Sequence, residues 1–140
     1  MKANTANKDH ERALIELKVR DPQRRAAAAV NVGIFGKADS IPALLEVAAD
    51  ESEFVRVSAF YGLVLLGHSE SVAKLLPFVG HARAHFRKLA LRALETVAGK
   101  SLGGPAEDEK ACAKAATAWA DWWKAHHAKL KWDEEKRVYA

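Results

Sequence analysis

The 140-residue chain has one cysteine, Cys112, so it forms no internal disulfide and cannot build a multi-cysteine metal site. No stretch approaches the ~20 apolar residues of a membrane span, and the opening MKANTANKDHERA lacks the apolar core of a secretory signal. The expectation is a soluble, cytoplasmic protein without a membrane partner, or an exported one if a leader has been removed. No segment alternates polar and apolar residues with period two, which argues against a sheet-based fold. A Gly-rich phosphate loop, a nucleophile elbow and a paired-carboxylate constellation are all missing, so no catalytic residue, cofactor or metal is expected. The charge is only mildly positive, with 22 basic residues against 18 acidic ones. That balance excludes a histone-like polycation.

What the chain does have is a repeat. Arg25, Arg56 and Arg87 are spaced by 31 residues (56 − 25 and 87 − 56). The same register carries Ala28, Ala59 and Ala90, then Val32, Leu63 and Leu94, then Phe35, Leu66 and Val97. Offsets of three, seven and ten trace one helical face. A second block, Ile41, Leu44, Leu45 and Ala48, returns as Val72, Leu75, Leu76 and Val79, and His10, Ala13, Leu14 and Leu17 form a partial earlier copy. Each unit is therefore a pair of helices, predicted over about residues 8–19, 22–35, 40–49, 53–66, 71–79 and 82–98. Gly36, Gly67 and Gly99 are expected as left-handed C-caps, with Ser40 and Ser71 as N-caps and Pro42 in a first turn. The class is all-α, a short right-handed α-solenoid of antiparallel helix pairs.

The paired helices, the Asp21-Pro22 restart, the arginine early in each second helix and the closing glycine resemble short bacterial HEAT-like (PBS-lyase-type) helical repeats. The resemblance covers about residues 8–99. It implies an α-solenoid whose second helices line one face, and arginines that serve the turns between units rather than a ligand. Such repeats occur in scaffolds, adaptors, a few lyases and some DNA repair glycosylases, so fold is implied more sharply than task. The domain plan is a flexible segment 1–7 and one repeat domain over 8–129, with repeats at about 8–36, 37–67 and 68–99. A capping helix over 106–129 and a tail over 130–140 complete it.

The capping helix follows a Gly-Pro-rich connection, GKSLGGPAEDEK, and carries Trp119, Trp122 and Trp123 on one side at i, i+3 and i+4. These indoles are expected to cover the open flank of the last repeat. The alternative is an exposed hot spot for a partner.

If the core-facing positions are offsets +3, +7 and +10, offsets +2, +5 and +9 turn to the lining face. They are Ala27, Val30 and Ile34; Ser58, Tyr61 and Leu65; Leu89, Arg92 and Thr96. Val30, Ile34, Tyr61, Leu65, Arg92 and Thr96 are therefore the candidate partner-binding residues, suited to a helix or extended peptide of a protein partner. The competing reading is that repeat curvature buries half of them. A monomer or weak homodimer is expected.

The segment GHARAHFRK supports a second functional class, nucleic-acid binding, through a phosphate-binding set of Arg83, Arg87 and Lys88 beside a helix start. His81 and His85 have the four-residue spacing of metal ligands but no third ligand nearby, so solvated histidines are the simpler reading. His10-Glu11 is similar to the His-Glu pairs of HEAT-repeat metal hydroxylases, which use several such pairs where this chain has one. Cys112 lies between Lys110 and Lys114, a weak reason for a reactive thiol, and is read as a small helical residue.

Overall fold

The computed structural model describes the backbone of residues 2–140 and the side chains of residues 8–140. Of the segment 1–7 expected to be flexible, residues 2–7 are described by their backbone alone, which is helical. The helices are α1 (Lys2–Glu16), α2 (Pro22–Phe35), α3 (Ile41–Val47), α4 (Glu53–Leu65), α5 (Glu70–Leu75), α6 (Ala84–Ala98) and α7 (Glu109–His126). Single 3₁₀ turns cover Ala38–Ser40 and Leu76–Gly80, and two-residue strands β1 (Trp132–Asp133) and β2 (Val138–Tyr139) close the chain. The protein is all-α apart from that terminal hairpin. The chain divides into two compact units, Met1–His68 and Ser69–Ala140.

In the first unit the helix starts follow local chemistry. Asp21 caps α2 by accepting from the Gln23 N–H at 2.9 Å, with Pro22 at the first helical position where its missing N–H costs nothing. Ser52 caps α4 by accepting from the Val55 N–H. Ser40, expected to cap α3, makes no capping bond; its Oγ lies 3.3 Å from His10 Nε2 instead. The core joins Ala13 and Leu17 of α1, Ala28, Ala29 and Val32 of α2, Leu44 of α3, and Val55, Ala59 and Leu63 of α4.

Helices α2 and α4 approach closely because glycines meet at their crossing. A Cβ placed on Gly33 would lie 2.4 Å from Gly62 Cα, and one on Gly62 would lie 2.6 Å from the Ala29 carbonyl oxygen. Gly36 also departs from expectation. Its backbone is extended (φ −83°, ψ −179°), and glycine is needed there because a Cβ would sit 2.5 Å from the Val32 carbonyl oxygen.

In the second unit, Pro77 denies the chain an N–H and turns the end of the predicted helix 71–79 into the 3₁₀ segment Leu76–Gly80 after a six-residue α5. Ser71 is buried inside α5 rather than capping it. Both α6 and α7 pack on that 3₁₀ segment. Gly99 ends α6 in the left-handed conformation (φ 70°), as its place after the last apolar residue predicts. Asp108 starts α7 by accepting from the Ala111 N–H at 3.0 Å.

The Trp-bearing face of α7 is partly covered within this unit, with Trp122 and Trp123 half-buried. Trp119 is fully buried, and Trp122 lies edge-on to it with ring centroids 5.3 Å apart. The Lys100 ammonium sits 5.5 Å over the Trp122 ring. Trp123 meets Tyr139 of the hairpin at 5.5 Å, and Tyr139 meets Trp132 at 5.1 Å. The antiparallel strands, which pair Trp132 with Tyr139, thus fold the tail onto the indoles. Burial pushes the Tyr139 phenol up to about 12.

Candidate functional site

The three register arginines do the same structural task. Arg25 Nη1 donates to the carbonyls of Val19 and Arg20, Arg56 Nη1 to those of Asp50 and Glu51, and Arg87 Nη1 to those of His81 and Ala82. In each case the acceptors stand six and five residues back, in the turn that precedes the helix. A flat guanidinium reaches two turn carbonyls at once, which a lysine cannot do with fixed geometry. Arg25 adds a two-pronged pair to Asp50, at 2.9 and 3.1 Å. Burial alone would raise the Asp50 carboxyl, but hydrogen bonds from Arg25 and the Ser52 N–H, with the charges of Arg25 and Arg56, hold it below the usual carboxylate range.

This arrangement removes Arg87 from the expected phosphate-binding set. Its side chain is buried, and its Nε donates to the Ala106 carbonyl at 2.8 Å in addition to the two turn bonds. A buried guanidinium that already donates to three carbonyls is not available to an anion. Arg83 and Lys88 are exposed, and Arg83 lies over the Phe86 ring at 5.9 Å. His81 accepts from the Arg83 N–H through Nδ1 and packs against Phe78 and Phe86, with centroids at 5.7 and 4.7 Å. Among the described residues no group of three His, Cys, Asp or Glu side chains is placed to hold a metal ion.

The lining-face candidates separate by helix. On α2, Val30 is half-buried and Ile34 exposed. On α4, Tyr61 and Leu65 are buried, and so is Ser58 between them in register. The reason is in α4 itself: Val55, Val57, Ala59, Leu63 and Val64 are spread round most of the helix, and a stripe of Glu53, Arg56 and Phe60 reaches water. Tyr61 is therefore not an exposed anchor. On α6, Arg92 and Thr96 are exposed and Leu89 half-buried.

Among the described residues, α6 turns its candidates into a shaped site. The segment from Ser101 to Glu107 folds back along the helix. Its Ala106 carbonyl is held by Arg87 Nε, and Gly104 lies near enough to Leu91 that a Cβ there would be 3.7 Å from Leu91 Cδ1. The positive φ values of Gly103 (131°) and Gly104 (144°) make this return path accessible chiefly to glycine. Between helix and segment lies a groove of about 730 Å³, with Leu91 and Pro105 among its apolar lining. Lys88, Arg92 and Thr96 stand along its helical wall, and Glu95 and Glu107 add negative charge.

The site thus unites Arg92 and Thr96 from the expected partner-binding set with Lys88 from the expected phosphate set. The wall formed by Ser101–Glu107 was not anticipated. Its signal was the Gly-Gly-Pro sequence, read only as a connection.

Catalytic readings gain nothing from the geometry. Cys112 is fully buried, donates to the Pro105 carbonyl at 3.2 Å, and has its thiol pushed up by burial, with Arg87 opposing weakly. The opposite shift marks a nucleophile. His10 packs against Ser40 and Gly36 instead of pairing with a second His-Glu unit.

A family model described as HEAT repeats matches residues 11–95, more than half of the chain. No curated protein and no solved structure gives a significant match. Among the described residues, no helix is long and apolar enough to cross a membrane.

Proposed function

The chain belongs to the HEAT-repeat family, and from that premise we propose that it is a non-catalytic interaction module that takes an extended peptide segment of a protein partner in the α6 groove. HEAT repeats are generally protein-interaction or scaffold modules and are typically non-catalytic. The observation that carries the reading is the groove itself: about 730 Å³ between α6 and Ser101–Glu107, lined by apolar side chains and exposed polar groups. The apolar lining rewards side-chain burial, while the polar groups fix register. The alternative, phosphate-backbone binding through Arg83, Arg87 and Lys88, is weakened by the engagement of Arg87 with three carbonyls.

The test is a random-peptide display selection with the wild-type chain and with Thr96→Trp, whose indole would fill the groove from an exposed helical position. The expected result is enrichment of peptides that Thr96→Trp no longer retains, at unchanged helicity and melting temperature. Equal retention by both proteins would refute the groove as the binding site.

A further inference from the structure

The chain's charge is unevenly divided. Residues 1–68 hold 9 basic and 9 acidic side chains, whereas residues 69–140 hold 13 basic and 9 acidic ones, so the second unit carries the whole net charge of +4. On the exposed face of α6, Lys88 and Arg92 stand one helical turn apart along the groove, and neither has an ion-pair partner among the described residues. Glu95 and Glu107 balance them over the groove as a whole, so the charge a partner can neutralise is local to the positions of Lys88 and Arg92.

Their spacing says more about that partner. Four residues along a helix rise about 6 Å. In an extended chain, side chains on one face recur every second residue, about 6.6 Å apart. The two repeats nearly coincide, so an extended segment laid along α6 can present successive same-face side chains to Lys88 and then to Arg92.

The apolar lining at Leu91 and Pro105 suits apolar side chains on the segment's other face. Glu95 and Glu107 disfavour a uniform polyanion, because a phosphate backbone would bring negative charge against both. Carboxylates placed only at the two positions facing Lys88 and Arg92 avoid that cost.

We infer that the α6 groove selects an extended acidic peptide in which two carboxylate side chains are separated by one residue, the first pairing with Lys88 and the second with Arg92, or the reverse. This inference rests on the peptide-groove reading and specifies its ligand. Charge pairing at exposed sites is modest for each pair, and two pairs acting together correspond to about a tenfold preference in affinity at low salt.

The experiment is a titration of the full chain, labelled with ¹⁵N, against three unlabelled seven-residue peptides, followed by amide chemical shifts. One has two glutamates that alternate with leucine at its centre and uncharged residues elsewhere, one has the same composition with its two glutamates adjacent, and one carries lysines in place of the alternating glutamates. The alternating acidic peptide is expected to bind about tenfold more tightly than the other two and to shift amides across 88–96 and 101–107. The double variant Lys88→Glu, Arg92→Glu, altered only at exposed positions, is expected to reverse the preference toward the lysine peptide.

If all three peptides shift the groove amides with equal affinity, the acidic rule is overturned and the groove reading stands. If none shifts those amides, both fall. Tighter binding of a ten-residue deoxythymidine oligonucleotide at the same amides would overturn the inference in favour of phosphate recognition.

Discussion

Replacing Gly33 with alanine sets two effects of opposite sign against each other. Gly33 lies inside α2, where an added methyl should favour the helix by about 1 kcal/mol through backbone entropy. The same methyl would stand 2.4 Å from Gly62 Cα, 3.0 Å from its carbonyl oxygen and 3.1 Å from its carbonyl carbon. All three atoms are backbone, so no rotamer change relieves the overlap. Reaching an ordinary carbon contact of about 3.7 Å requires the helices to part by about 1 Å.

That displacement loosens the packing of Ala29, Val32, Ala59 and Leu63, which are all fully buried. Overpacking of this kind costs about 3 kcal/mol at the upper end of its usual range. The net expectation is a loss of about 2 kcal/mol, or about 7 °C in melting temperature if the whole chain unfolds as one cooperative unit. Urea and thermal unfolding followed by circular dichroism measure it. A melting temperature equal to or above that of the wild type would refute the claim that the two helix backbones meet at these glycines.

Arg87→Ala should cost about 3 kcal/mol, because the Ala106, His81 and Ala82 carbonyls lose their donor together; Arg87→Lys should recover less than half of that in urea unfolding, since an ammonium cannot span three acceptors, and full recovery would show that charge alone matters. The Asp50 carboxyl is held down in the folded chain, so its contribution is present above the ordinary carboxylate pKa of about 3.9 and is lost as pH falls through the lower folded value. Melting curves between pH 6 and pH 3 should therefore show a steeper acid-side loss for wild type than for Asp50→Asn, and parallel curves would contradict the pairing. In a Tyr61→Phe background, the phenolate absorbance of Tyr139 should appear near pH 12. Because that phenol is raised above its ordinary value near 10, its contribution is complete below about pH 10 and is lost as pH rises toward 12. Titration near 10 in the folded state would mean that the hairpin does not cover it.

Much of the architecture was legible in the residues alone. The 31-residue register, the helix pair within each period and the start of α2 at Asp21-Pro22 follow from side-chain spacing and capping, which act over a few residues. A turn-bracing role for Arg25, Arg56 and Arg87 was implied by the family resemblance, but the turns they brace lie within each helix pair, five and six residues back, and not between units. The split of the predicted helix 71–79 was also written in the chain, at Pro77, and was passed over.

The site was less legible, for a physical reason. Exposure of Tyr61, Leu65 and Arg92 was inferred from equivalent positions in the repeat, yet equivalent positions share a helical phase and not a set of neighbours. Tyr61 and Leu65 are buried on an α4 that is apolar round most of its girth, while Arg92 and Thr96 remain open on an α6 that keeps a broader polar stripe. The close meeting of Gly33 with Gly62 joins residues far apart in the chain, and the groove wall exists because Arg87 Nε fastens the Ala106 carbonyl 19 residues on. Local sequence determined which helices form and where they end. Only the tertiary structure decided which of their faces meet water, because burial is a property of what packs against a residue and not of the residue's place in its own repeat.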